Sequence, residues 1–271
     1  MDYVSMFIWL VICLALGGTM HKLLRSAQNT GWFQWVAAPG IAVRKFGMAL
    51  AAMATGATLT DANIYRISQR DIGFDDKAVG GLPRFLVPLA PLFFAAVMLQ
   101  TVNAILGTPV DLNVATPVIS SLSLSGAEDF FAEFWQMVTG LVRRVFRGDW
   151  GDLRFYVFLV FALSLSLGAG ASFNKFRESL LGCLLLVVTL AVVCEIFRVP
   201  RSGLAKLAGT HPAVALLQSI HTFLFETAHL ALVMMLCGII LATLIGVAVR
   251  MYELITRSSS SSARSDEKQT A

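Results

Sequence analysis

Apolar residues in this chain fall into long runs separated by short polar segments. Six runs come close to the length of about 20 residues that a transmembrane helix needs. They cover residues 4–18, 36–57, 85–106, 155–171, 180–197 and 230–249. The fifth and sixth are joined by a polar connector, and Pro212 begins a helical pattern that continues to about Thr256. The pattern predicts an all-α polytopic membrane protein with about six transmembrane helices.

The second run, VAAPGIAVRKFGMALAAMATGA, has two cations near its centre, Arg44 and Lys45. A central Lys or Arg costs about 2.5 to 3.5 kcal/mol each, so this helix needs a compensating environment. Pro39 predicts the helix start and Gly56 its C-terminal stop. Recurring small residues predict close approach by neighbouring helices and a central place in the bundle. They are Ala38, Ala42, Gly47, Ala51, Ala52 and Gly56.

The polar segments predict two further features. Residues 58–84 contain two short runs of strand-forming residues, which predict a small β-hairpin at the membrane surface. Residues 107–124 form a long loop, and Ser125 with Glu128 has the spacing of a capping box. Residues 125–147 then repeat apolar positions at the helical period, which indicates an amphipathic helix at the membrane interface. A loop helix packed on the bundle remains an alternative, because a wide apolar face serves either surface.

Composition supports the membrane class. Hydrophobic residues make up 56% of the 271 residues and charged residues 14%. The formal charge of +4 is ordinary for cytoplasmic Lys and Arg, and nucleic-acid motifs are absent. Four cysteines lie singly in apolar runs, so we expect buried thiols. We predict one transmembrane domain over residues 1–257 and a disordered Ser-rich tail over 258–271, with the C-terminus in the cytoplasm.

One helix carries three residues that could bind a metal. Glu226 and His229 have the Glu-x-x-His spacing of bundle di-metal sites, and His221 lies two turns earlier. Such sites use two copies of the motif plus further carboxylates, and this chain has one copy. The default interpretation is therefore a hydrogen-bonded interfacial histidine, with a metal-dependent membrane enzyme as the alternative.

A resemblance to a known family follows from the order of motifs. The order is APG, the pair at 44 and 45, position 48, small residues with TGA, a polar hairpin, and then a helix containing PLAPLF. This order resembles the intramembrane zinc metalloproteases of the site-2 protease kind over residues 36–106. In that family an H-E-x-x-H helix supplies two zinc ligands and the general base. Those positions fall here on Arg44, Lys45 and Met48, and the third ligand position falls on Lys175.

The resemblance implies a scaffold from which the catalytic chemistry has been lost. Two cations and a thioether do not form a zinc site, because arginine offers no acceptor and an ammonium repels the metal. We therefore predict no catalytic residue, no metal and no cofactor. The cations either pair with internal acids, for which Glu195, Asp61 and Asp129 are candidates, or bind an anion or lipid headgroup.

Two functional hypotheses result. The first is a non-catalytic integral membrane protein, a pseudo-metalloprotease that acts as a scaffold or accessory subunit of a membrane complex. The second is a transport or binding protein that uses a basic intramembrane cavity for an anionic ligand. Either would have the lipid bilayer and a membrane-protein partner or a second copy of itself as partners, and no nucleic acid.

Overall fold

The computed structural model describes residues 2–24, 31–61, 73–75, 85–119, 121, 123–169, 176–198 and 212–269, and in the strands and at some helix ends it describes the backbone only. Helices dominate the described residues. They are α1 (Asp2–Leu23), α2 (Gly31–Ala54), α3 (Ala90–Ile105), α4 (Leu124–Arg147), α5 (Leu153–Ala169), α6 (Phe176–Arg198) and α7 (Pro212–Gln269).

Within the described residues, three stretches are long and apolar enough to cross a membrane: Tyr3–Met20, Gly31–Ala54 and Ser219–Met251. Helices α3 and α5 are apolar but shorter. Contacts at both ends show that α1 and α7 lie side by side in parallel. Tyr3 meets His221 at one end, and Met20 lies against Gly238 at the other. The membrane class predicted from composition is thereby supported by the fold.

Helix α2 begins earlier than predicted. It starts at Gly31, so Pro39 lies inside the helix rather than in its first turn, and that prediction was wrong. A proline is tolerated at this depth where neighbouring helices satisfy the freed backbone groups. The predicted C-terminal stop is confirmed, since Gly56 has a φ of 74°. The amide of Gly56 donates to Met53 and that of Ala57 to Ala52, which is the Schellman pattern.

Two short strands follow α2. Strand β1 (Thr58–Asp61) pairs antiparallel with β2 (Gly73–Asp75) and has an irregularity between Leu59 and Asp61. The sequence predicts a small hairpin in this region, and the residues that would join the two strands lie outside the described part of the chain.

Helix α3 is shorter than the run from which it was predicted. Residues 87–89 form a turn around Pro88, and the helix begins at Ala90 with Pro91 in its first turn. A proline cannot continue the hydrogen-bond pattern of a preceding turn, so the break falls where the two prolines lie. The helix ends at Ile105, and Gly107 (φ 81°) and Thr108 (φ 57°) then turn the chain into an extended segment.

Helix α4 presents three faces. One is buried in the bundle and consists of Phe130, Met137, Leu141 and Val145. A second is exposed and apolar, and a third is polar. The N-cap is Ser123, whose side chain accepts from the amide of Gly126 at 3.2 Å, so the predicted capping box at Ser125 was wrong. The buried face fits the alternative of a loop helix packed on the bundle, and the location of the exposed apolar face at the membrane interface stays a prediction.

Helix α5 occupies the centre of the bundle. Every residue from Ala162 to Ala169 is buried, and the helix packs against α2, α3 and α7. The sequence predicts that α2 is central, whereas α2 buries one face and leaves Phe46 and Met53 exposed. The difference follows from side-chain size, because Ala162, Ser164, Ser166 and Gly168 admit neighbours on several sides of α5.

Helix α7 continues to Gln269, through the residues for which the sequence predicts a disordered tail. An established helix propagates at little cost through serine, which is only a moderately poor helix former. The expectation of buried thiols is confirmed for the cysteines with described side chains, Cys13, Cys183 and Cys237, which are free and buried. Cys194 lies outside the described side chains.

Candidate functional site

The helix with the two cations crosses α5 at very close range. The amide nitrogen of Gly40 donates to Ser164 Oγ at 2.8 Å. A Cβ added to Gly40 would overlap the carbonyl oxygen of Ser164, and one added to Gly168 would overlap the carbonyl oxygen of Gly40. Small residues four apart on one helix allow such backbone contact. The predicted close approach is therefore real, although Gly40 was not among the small residues assigned to it.

Serine side chains on α5 hold neighbours on two sides. Ser164 accepts from α2, and Ser166 Oγ lies 2.8 Å from the carbonyl oxygen of Met234 on α7. Both serines are fully buried. Because lipid tails are as apolar as leucine, burial alone does not hold transmembrane helices together, and such hydrogen bonds contribute. Helix α5 thus links the cation-bearing helix to the longest helix of the protein.

The positions that the resemblance assigns to the protease motif are packed. Lys45 is 3% exposed and Met48 is 2% exposed. Met48 belongs to a small apolar cluster with Ala52, Ala57 and Val87. Arg44 is partly buried, and both Arg44 and Lys45 have interaction partners in the structure, so neither is isolated. The side chains of Lys45 and Met48 therefore lie within the protein.

Of the other residues proposed for the former zinc site and its ion pairs, the structure describes the side chain of one. Lys175 lies outside the described residues, as do the side chains of Glu195 and Asp61. Asp129 is exposed on α4. An exposed carboxylate is well solvated and has little to gain from pairing with a buried cation. Helix α5, which ends six residues before Lys175, is nevertheless a direct neighbour of α2.

An extended segment, which we call the strap, runs over the bundle from Thr108 to Ile119. Its side chains alternate between buried and exposed positions. The buried ones are Val110, Leu112, Val114, Pro117 and Ile119, and the exposed ones include Asp111, Asn113, Ala115 and Val118. This is the period of a β-strand, yet the strap has no strand partner among the described residues. Its backbone polar groups must therefore find other partners.

Side chains of three helices, α1, α3 and α4, supply most of those partners. Arg144 Nη1 lies within 2.6–3.0 Å of the Asp111 carboxylate and of the carbonyl oxygens of Asp111 and Asn113. His229 lies near the backbone of Val114. Four further hydrogen bonds, each 2.9 Å long, hold the strap. Asn103 Nδ2 donates to the Val110 carbonyl, and Trp9 Nε1 donates to the Pro117 carbonyl. The Val118 amide donates to the Glu133 carboxylate, and the Ile119 amide donates to Ser5 Oγ.

A cleft of about 640 Å³ opens between the strap, α3 and α7. Its polar lining comes from all three elements: Gln100, Asn103, Thr108, Asp111, Asn113, Glu226 and His229. Asn103 is buried, and its Oδ1 has no hydrogen-bond partner. His229 Nε2 is likewise buried without a partner. A polar cleft with two lining residues that each have a buried polar atom without a partner is the most chemically distinctive site in the described residues.

The three residues considered for metal binding separate in the structure. Glu226 and His229 both line the cleft, whereas His221 stacks on Phe225 and meets Tyr3 edge to face. Among the described residues, no three His, Cys, Asp or Glu side chains lie close enough together to hold a metal ion. The sequence spacing therefore identified two residues of a polar cleft, and it did not identify their neighbours.

Sequence reasoning missed the strap and its partners. A signal was present, because VDLNVATPVI alternates apolar and polar positions over its first half, which is typical of an extended segment. The sequence predicts a long loop over residues 107–124, which contain Pro109 and Pro117. No spacing rule would have indicated that Asn103 and His229 meet at the strap, since they are 126 residues apart along the chain.

No protein-family model, no curated protein and no solved structure matches this chain.

Proposed function

We propose that this protein is a non-catalytic, multi-pass membrane protein with a site-2-protease-like scaffold, acting as a scaffold or accessory subunit of a membrane complex. The sequence predicts about six spans, but α1 and α7 run parallel, which requires an odd number of crossings, so the proposal includes five spans drawn from the six apolar helices, and a cytoplasmic C-terminus. The observation that carries it is the burial of Lys45 and Met48 at positions where the resemblance expects the general base and a zinc ligand.

The surroundings of Lys45 and Met48 support the loss of proteolytic activity. A general base must reach the water that it activates, and a metal ligand must face an open coordination position. Lys45 is packed inside the bundle, and Met48 is enclosed by apolar side chains. A fixed cation in a metal's place preserves the local positive charge, and this supports a structural role.

Surface composition supports the accessory role. Helix α6 contacts mainly α1 and exposes a continuous apolar stripe. The stripe consists of Leu181, Leu184, Leu185, Val188 and Val192. Its spacing of three and four residues places these side chains on one helix face, which either lipid tails or a partner helix would cover.

Cleavage and assembly assays test the proposal directly. The purified protein, incubated with a single-pass membrane substrate and zinc, should give no chelator-sensitive cleavage. Purification in native lipid with mass spectrometry should recover a stoichiometric membrane-protein partner or an oligomer. Chelator-sensitive cleavage would overturn the claim that the protein is non-catalytic. Recovery only as a solitary monomer would overturn the claim that it belongs to a membrane complex.

The resemblance itself has a separate test. If positions 44, 48 and 175 converge as in the family, the combined variant Arg44→His, Lys45→Glu, Met48→His and Lys175→Asp should bind one zinc ion by elemental analysis. The matched control lacks Lys175→Asp and should hold zinc much more weakly, because a ligand is missing. Equal zinc content in the two folded variants would contradict the proposed correspondence.

The anion-binding alternative differs in its response to Lys45→Ala. Binding through a basic cavity predicts that this change abolishes binding or flux while the protein stays folded. A structural role predicts loss of stability or assembly instead. The charged residues that line the cleft are acidic, namely Asp111 and Glu226, so the cleft does not favour an anion.

A further inference from the structure

Helix α4 lies across one end of the bundle. The strap contacts α3 at Asn103 and α1 at Trp9. These two places lie at the same level of α7, because the Trp9 ring meets His229 and Asn103 lines the same cleft as His229. Helix α4 runs beside the strap in the opposite direction, since Glu133 binds the C-terminal part of the strap and Arg144 the N-terminal part. The helix therefore crosses from α1 to α3 where α1 begins and α3 ends.

An exposed apolar arc runs along α4. Its large side chains lie within about 60° of one another around the helix axis. They are Leu124, Phe131, Trp135 and Phe146. Three more exposed apolar or aromatic residues follow in the turn and at the start of α5: Trp150, Leu153 and Tyr156. Phe, Trp and Leu on one face are typical of a helix that lies in the plane of a membrane interface.

Arginines border the C-terminal half of this arc. Arg143 and Arg147 are exposed on α4, and Arg154 is exposed at the start of α5. Around the helix, the arc lies between the buried face and the side that carries Arg143 and Arg147. None of the three arginines forms an ion pair or a side-chain hydrogen bond with another described residue, whereas Arg144 binds the strap. Their positive charge is therefore available to a partner outside the protein.

Acidic residues are concentrated at the other end of α4. Glu128, Asp129 and Glu133 belong to its N-terminal half, and its C-terminal half contains no acid. In the turn that follows, Asp149 and Asp152 each use one carboxylate oxygen to accept from a backbone amide two residues later. The C-terminal half of α4 thus combines an apolar arc with positive charge. An apolar arc alone would suit any apolar partner, but arginines without a protein counter-charge favour an anionic surface.

We propose that the C-terminal half of α4 and the turn into α5 bind anionic phospholipids. The aromatic arc enters the boundary between tails and headgroups, and Arg143, Arg147 and Arg154 bind the phosphates. A guanidinium suits this role because its planar donors match the oxygens of a phosphate. The site is independent of the proposed loss of protease activity, since none of its residues belongs to the positions considered for zinc.

Tryptophan quenching measures which lipid contacts this surface. In the full-length protein, Trp150 is kept as the only tryptophan, because it lies between Arg147 and Arg154 in the chain. The protein is reconstituted in phosphatidylcholine vesicles that contain a minor fraction of brominated phosphatidylglycerol or an equal fraction of brominated phosphatidylcholine. We expect the apparent affinity for phosphatidylglycerol to be at least about fivefold higher, as for one arginine near a charged surface. Higher salt should reduce this preference.

The double variant Arg143→Gln, Arg147→Gln should lose most of the preference without affecting folding, because both side chains are exposed. The double variant Arg143→Lys, Arg147→Lys keeps the charge and should keep most of the preference. Arg250→Gln is the matched control, since Arg250 is an exposed arginine near the opposite end of α7 from the strap and should leave quenching of Trp150 unchanged. The Tm of each variant reports whether it is folded.

Four results would overturn the proposal. Equal quenching by the two brominated lipids would show that the surface does not select an anionic lipid. Quenching by neither lipid would place the surface in water or against protein. A preference that survives the double glutamine change would exclude the assigned arginines. An equal loss in Arg250→Gln would assign the preference to net charge. Because zinc binding, cleavage and complex formation are not measured here, failure of this proposal leaves the proposed function standing.

Discussion

Gly40 on α2 and Ser164 on α5 are joined by a hydrogen bond from a backbone amide to a side-chain hydroxyl, 2.8 Å long and fully inside the bundle. The two helices approach so closely at this point that no side chain fits on Gly40. The contact lies one turn before Arg44, so it sets the position of the cation-bearing part of α2 relative to the centre of the bundle.

Gly40→Ala should be strongly destabilising. The added Cβ would overlap backbone, which cannot move aside as a flexible side chain can, and overpacking typically costs about 1 to 3 kcal/mol or more. The free energy of unfolding in bicelles measures the effect. Gly246→Ala is the matched control on α7, because its Cβ meets nothing within 4 Å, and it should leave stability unchanged or raise it. Equal effects of the two changes would contradict the close crossing.

Ser164→Ala should have a smaller effect than Gly40→Ala. It removes an acceptor without adding volume, and interhelical hydrogen bonds in membranes contribute about 0.6 kcal/mol on average. The same unfolding assay measures the loss. Ser164→Thr keeps the hydroxyl, but we do not expect it to be as stable as the unchanged protein. Its extra methyl group would have to enter a contact that already excludes a Cβ on Gly40. A loss of several kcal/mol in Ser164→Ala would show that more than one hydrogen bond depends on this hydroxyl.

Arg144→Gln should loosen the strap. The arginine contacts the Asp111 carboxylate and two strap carbonyl oxygens, and glutamine cannot reach all three. Hydrogen exchange at residues 110–119 should become faster while the helices stay protected. Since the pair is part exposed, at 35% for Arg144 and 67% for Asp111, the ionic contribution is at most about 1 kcal/mol and salt should weaken it.

Arg143→Gln is the control for Arg144→Gln. Arg143 is exposed, adjacent in sequence and of the same charge, and it contacts no strap residue by a hydrogen bond in the described structure. Exchange in the strap should be the same as in the unchanged protein. If both variants accelerate exchange equally, net charge on α4 rather than the specific contact would control the strap.

The exposed apolar face of α4 should meet lipid. Phe131 and Trp135 are 68% and 67% exposed, and Trp150 continues the aromatic surface just beyond the helix. Aromatic side chains favour the membrane interface. In a variant that keeps Trp135 as its only tryptophan, fluorescence should be quenched by lipids brominated near the headgroup. A variant that keeps only the fully buried Trp9 should be quenched little. Absence of quenching at Trp135 would place this face in water or against protein.

The sequence predicted the parts of this fold that depend on local physics. Apolar runs indicated membrane helices, and Gly56 indicated the end of α2, because a left-handed terminal residue is a local requirement. The predicted start of α2 and the predicted N-cap of α4 were wrong. Pro39 lies inside α2, and Ser123 rather than Ser125 accepts from the amide of Gly126. Both outcomes depend on where the preceding chain arrives, which local preference does not specify.

By itself, the sequence determined the membrane class, the amphipathic character of residues 125–147 and the unsuitability of Arg44, Lys45 and Met48 as a zinc site. Composition, periodicity and ligand chemistry are sufficient for those conclusions. Only the tertiary structure decided that α5 is the centre, that the strap is held by hydrogen bonds from side chains of three helices, and that Asn103, Glu226 and His229 line one cleft. These facts arise from contacts between distant residues, and such contacts are set by packing and hydrogen-bond satisfaction over the whole bundle.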